Sequence, residues 1–78
     1  MNPQETNGAF RAVFAAHIRG IGELARICKE EAEWLRGTDP TRLAIPRTPE
    51  DFADMALRYE AARDAAYKLY AALNHLIL

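Results

Sequence analysis

The chain has 78 residues, 10 basic and 11 acidic, for a net charge of −1, and half of its residues are hydrophobic. That balance argues against a general nucleic-acid or membrane-surface binder, which carries a basic excess, and no apolar run approaches the ~20 residues of a membrane span. Cys28 is the single cysteine, so neither an intrachain disulfide nor a cysteine zinc cluster is expected, and a reducing, cytoplasmic setting is favoured.

The opening segment MNPQETNG lacks the basic and apolar regions of a signal peptide. It reads as a polar, frayed start in which Thr6 or Asn7 caps the helix that follows. That first helix is expected over 8–36. Phe14, Ile18, Ile21, Ala25, Cys28, Ala32 and Leu35 alternate steps of four and three and so share one stripe. Phe10, Val13, Leu24, Ile27 and Trp34 widen it. Opposite charges at i,i+4 (Arg19–Glu23, Arg26–Glu30, Lys29–Glu33) mark a solvated back, and Gly37 is placed to stop the helix in a left-handed conformation. Gly20 and Gly22 are costly inside a helix and suggest close approach of another backbone, or a bend.

Residues 37–48 form a linker rich in proline, longer than the ~2–8 residues common between bundle helices. Leu43 and Ile45 are expected to fold back over the hairpin end. Thr48-Pro49-Glu50-Asp51 is a strong helix start: a capping hydroxyl, a proline suited to the first turn, and two acids at the positive end of the dipole. The second helix, 49–76, repeats Phe52, Met55, Tyr59, Ala62, Ala66, Leu69, Leu73 and Leu76 in three–four steps, a heptad seam. Asp54–Arg58 and Asp64–Lys68 brace it at i,i+4.

The expected fold is all-α: one domain over residues 1–78, an antiparallel two-helix hairpin. Its apolar stripes are wider than one hairpin can bury, and a chain this short seldom supplies a sufficient core alone. Two hairpins joined as a four-helix bundle would bury both sides, so the first expected partner is a second copy.

No residue pattern points to catalysis, a cofactor or a metal. His17 and His75 lack the acidic or thiolate companions of a metal site. Cys28 lies on a core seam, where a thiol behaves as a small hydrophobe, and no Ser/His/Asp or Cys/His order suggests a nucleophile. The contact residues expected for a host or cognate protein are Leu57 and Tyr67, both off the seam, with Trp34 and the apolar chain end at Leu78. A rival expectation is an anionic or nucleotide ligand held at an oligomer interface by the linker arginines Arg36, Arg42 and Arg47. The runs Leu43-Ala44-Ile45, Arg47-Thr48 and Met55-Ala56-Leu57 resemble the second-helix signature of small phage hairpin proteins that sequester cyclic nucleotides. The resemblance spans about a fifth of the chain. In that family the stretch is continuous helix, whereas Pro46 and Pro49 interrupt it here, and no ligand residue is carried over. The function expected is that of a small regulator or inhibitor, by analogy with phage and mobile-element factors that modulate host proteins or their defences.

Overall fold

The computed structural model describes residues 2–77, with side chains described as far as Leu73. Two helices, α1 (Pro3–Arg36) and α2 (Pro49–Ile77), pack side by side across a linker that holds one short 3₁₀ turn, Pro40–Arg42. At 1.5 Å per residue they are about 51 and 44 Å long. The molecule measures 58 × 21 × 14 Å, a rod two helices wide and one helix thick.

α1 begins five residues before the Gly8 start that apolar periodicity suggests. Asn2 is the cap: its Oδ1 accepts from the Glu5 N–H at 2.8 Å, while the Glu5 carboxylate accepts from the Asn2 N–H at 3.3 Å. This capping box, with Pro3 in the first turn, satisfies the exposed donors without any apolar face. At the other end Gly37 has φ −92°, not the left-handed conformation expected of it. The last carbonyls are closed instead by Gly37 and Thr38 N–H groups and by the Thr38 hydroxyl, which donates to the Trp34 carbonyl at 2.8 Å. The cap of α2 matches expectation: Thr48 Oγ1 accepts from the Asp51 N–H at 3.2 Å.

The seam of α1 is as its spacing predicts. Ile18, Ala25, Cys28, Ala32 and Leu35 are buried, and Phe14 and Ile21 are half-buried. α2 departs from expectation in alternate members. Phe52, Tyr59, Ala66 and Leu73 are shielded, but Met55, Ala62 and Leu69 are exposed, and Ala56, Arg63 and Tyr70 take their places against α1. The small Ala56, only 2% exposed, lets the backbones approach. A Cβ built on Gly22 would lie 3.6 Å from Arg63 Cδ, so that glycine makes room for the arginine stem. The Tyr70 ring packs on Phe14 with centroids 5.4 Å apart. Gly20 has open space around it, so no close approach within the hairpin explains it.

Of the expected ion pairs, Arg26–Glu30 (2.6 Å) and Arg58–Asp54 (2.9 Å) form. Arg26 also reaches Glu23, Arg36 pairs with Glu33, and Lys29 turns away from Glu33 to bridge the helices to Glu60. The hydrogen bond from Lys29 holds the Glu60 carboxyl below its ordinary range; partial burial opposes this, and the charges of Lys29 and Arg63 reinforce it. A lowered folded-state value means that the pair stabilises the hairpin above the usual carboxylate range and stops doing so as pH falls through that lowered value. Acidification from about pH 6 to about pH 3 should therefore lower the melting temperature more in the native chain than in Glu60→Gln, as followed by circular dichroism.

Candidate protein-interaction surface

The hairpin has two unlike flanks. On a helix advancing about 100° per residue, Lys29 and Glu60 lie to one side of the α1–α2 contact line, and their ion pair marks that flank. Arg19, Arg26 and Arg63 stand on the same side, around a groove that also includes Tyr67. It is polar and charged.

The opposite flank is apolar. On α1 the positions Phe10, Val13, His17, Gly20, Leu24, Ile27, Glu31 and Trp34 step by three and four without a break, a second heptad row beside the buried seam. Val13 is 71% exposed, Leu24 44% and Ile27 51%. On α2, Met55, Arg58, Ala62, Ala65, Leu69 and Ala72 step the same way and are all exposed. Both rows are offset from the contact line in the sense opposite to Lys29 and Glu60. In an antiparallel pair that puts them next to each other, on one side of the rod.

Each end of this flank has its own detail. Near the N-terminus Thr6, Ala9, Phe10, Val13, Phe14 and His17 line a shallow apolar groove. At the linker end Arg47 lies 5.6 Å over the Trp34 ring, donates to Glu31 at 2.9 Å and to the Ile45 carbonyl at 3.1 Å. Arg47 and Glu31 are each only 30% exposed, so one guanidinium ties the linker to the end of α1.

The three described contact residues expected from sequence, Trp34, Tyr67 and Leu57, do not converge. Trp34 is on the apolar flank, partly covered by Arg47. Tyr67, 55% exposed, is on the polar flank. Leu57, 65% exposed, points outward from α2 about 15 Å along the axis from Tyr67. Leu78 lies outside the described residues, as do the side chains of His75, Leu76 and Ile77. Of the linker arginines, two come together and one does not. Arg36 is engaged by Glu33 and Arg47 by Glu31; these two line a groove with Leu43 and Glu50, while Arg42 ends the 3₁₀ turn away from it. Leu43 folds back as expected, but Ile45 is 70% exposed.

No protein-family model matches the chain, and neither a curated protein nor a solved structure matches it. Among the described residues no three His, Cys, Asp or Glu side chains stand together as a metal site, and no described helix is long and apolar enough to cross a membrane. Cys28 is buried mid-helix. What the arrangement offers is contact area: among the described residues ten large hydrophobic side chains are exposed, and seven of them belong to the two rows of the apolar flank. In the sequence Met55 and Leu69 read as members of the α2 seam, and Phe10, Val13, Leu24, Ile27 and Trp34 as a widening of the α1 stripe. The unbroken three–four spacing from Phe10 to Trp34 is the signal that sets them apart as a row of their own.

Proposed function

We propose that the chain is a non-catalytic protein-binding module, a small regulator or inhibitor of a host or cognate protein, built as a four-helix bundle from two hairpins. The observation that carries this reading is the pair of heptad rows lying together on one flank of a rod only 14 Å thick. A stable domain has at least two packed layers, and this hairpin has one. Contiguous apolar area of this kind marks an interaction surface, and heptad spacing is what a helix pair offers to another helix pair.

With the apolar flank occupied by the second hairpin, Tyr67 and Leu57 stay on the outside, where they are free to meet a different protein. An aromatic side chain beside Arg19, Arg26 and Arg63 has the composition of an interface hot spot. The rival reading, an anion held by the linker arginines, gains nothing from the geometry, because Arg36 and Arg47 already hold glutamates.

The test is a tagged pull-down from the native host with mass-spectrometric readout, comparing the native chain, Tyr67→Ala with Leu57→Ala, and Arg42→Ala with Arg47→Ala. Loss of a specific captured protein in the first double variant, at an unchanged oligomeric state, is the expected result. Capture that survives there but fails in the arginine variant would overturn the assignment in favour of the linker.

A further inference from the structure

The geometry points to how the second copy sits. Resting on the dimer reading above, we infer that the two hairpins stack flank to flank about a two-fold axis perpendicular to the helices, at the level of Gly22. Each α1 then lies antiparallel on the partner's α1, each α2 on the partner's α2, and the two linkers are at opposite ends of the bundle.

The area is sufficient. From Phe10 to Trp34 the α1 row runs about 36 Å at 1.5 Å per residue, and the hairpin is 21 Å wide. That is roughly 750 Å² per copy, close to the ~800 Å² per partner of a standard stable interface.

The order of residues in the rows selects the axis. The α1 row has the same spacing read in either direction from the level of Gly22. Turned end for end, it sets Leu24 against the partner copy's Gly20, Ile27 against its His17, and Trp34 against its Phe10. A large side chain meets the one position in the row that has no side chain, and does so twice around the axis. Gly20, which has open space around it within the hairpin, thereby acquires a reason to be glycine. On α2 the row is centred between Ala62 and Ala65, beside Arg63, the residue whose stem packs at Gly22. Both rows are therefore centred on the same level of the rod, as a single perpendicular axis requires.

The alternative axis, parallel to the helices, puts α1 on the partner's α2 and brings like residues to one level. Gly20 and Ala65 of both copies would then form a layer of four small residues and leave a void. Both Arg58 side chains would also meet across one layer. With the perpendicular axis the two Arg58 residues are separated by about 16 Å along the bundle.

The outward consequence is a bivalent particle. The linkers, with Arg42, stand at opposite ends, and the two Tyr67 grooves face away from each other on opposite outer surfaces. A partner carrying two copies of one epitope would be bridged, not gripped twice by one face.

Spin labels at Thr41→Cys in the linker read the arrangement directly, by double electron–electron resonance. Cys28 is buried, and a second preparation with Cys28→Ala removes it altogether. Light scattering on the same samples reports the mass. A dimer with a label separation on the order of 50 Å, twice the distance from the Gly22 level to the linker, is the expected result. A dimer with a separation of about 20 Å, the span across one end of a bundle, overturns the perpendicular axis and leaves the dimer reading intact. A monomer overturns the dimer reading itself.

Discussion

Leu24→Glu should split the assembly into monomers while leaving the α1–α2 contact in place. Leu24 lies at the centre of the apolar flank, exposed in the hairpin and covered in the proposed bundle. An uncompensated charge buried there costs about 3 kcal/mol, and two-fold symmetry applies that cost twice. Roughly 6 kcal/mol raises a dissociation constant on the order of 10⁴-fold. Light scattering at micromolar concentration should show the change, together with loss of the concentration dependence of melting that a dimer displays. Leu57→Glu is the control. It places the same charge on the outward surface of α2, where substitutions fall within about 0.5 kcal/mol, and it should leave the mass unchanged. A dimeric Leu24→Glu, or a monomeric Leu57→Glu, would move the interface to the other side of the rod.

Ile18→Ala tests the inner seam. Of the six buried hydrophobic residues among those described, only Ile18 and Leu35 are large; three of the others are alanine and one is Cys28. Ile18, 3% exposed, lies where the seam passes Tyr70 and Ala15. Truncation of a buried isoleucine costs about 2–5 kcal/mol. For a domain of this size that lowers the melting temperature by roughly 10–30 °C, an effect too large for a core this thin to absorb. Thermal melts by circular dichroism measure it. A fall of less than about 5 °C would mean that the α1–α2 seam is not the principal core.

The two substitutions act on layers that the sequence records with unequal clarity. The inner seam of α1 is legible because every three–four step from Phe14 to Leu35 lands on an apolar residue, whereas the row beside it passes through His17, Gly20 and Glu31. On α2 the same rule chose Met55, Ala62 and Leu69, which are exposed, over Ala56, Arg63 and Tyr70, which face α1. Alanine is the reason. Where a helix carries alanine on most sides, its periodicity marks an apolar arc but not which edge of the arc meets its neighbour. Arg63 misleads further, since its charge hides a stem that packs over Gly22.

The start of α1 was missed for a different cause. Residues 3–7 have no apolar pattern, and the helix there rests on the Asn2–Glu5 capping box, a signal of two residues three apart. Least legible of all was the side on which the two outer rows fall. Each row can be read in the sequence, but their adjacency depends on the direction in which α2 is rotated against α1. The tether from Arg47 to Glu31 and Trp34 belongs to the same class: it joins positions 16 residues apart through a linker whose path no local rule dictates.

The most direct measurement is the solution mass of the unmodified chain, by sedimentation equilibrium at low micromolar concentration. Flank-to-flank pairing predicts twice the 8.8 kDa of one chain, with helix content that falls in step with the dimer on dilution. A folded species with the mass of a single chain, stable to dilution, would contradict it.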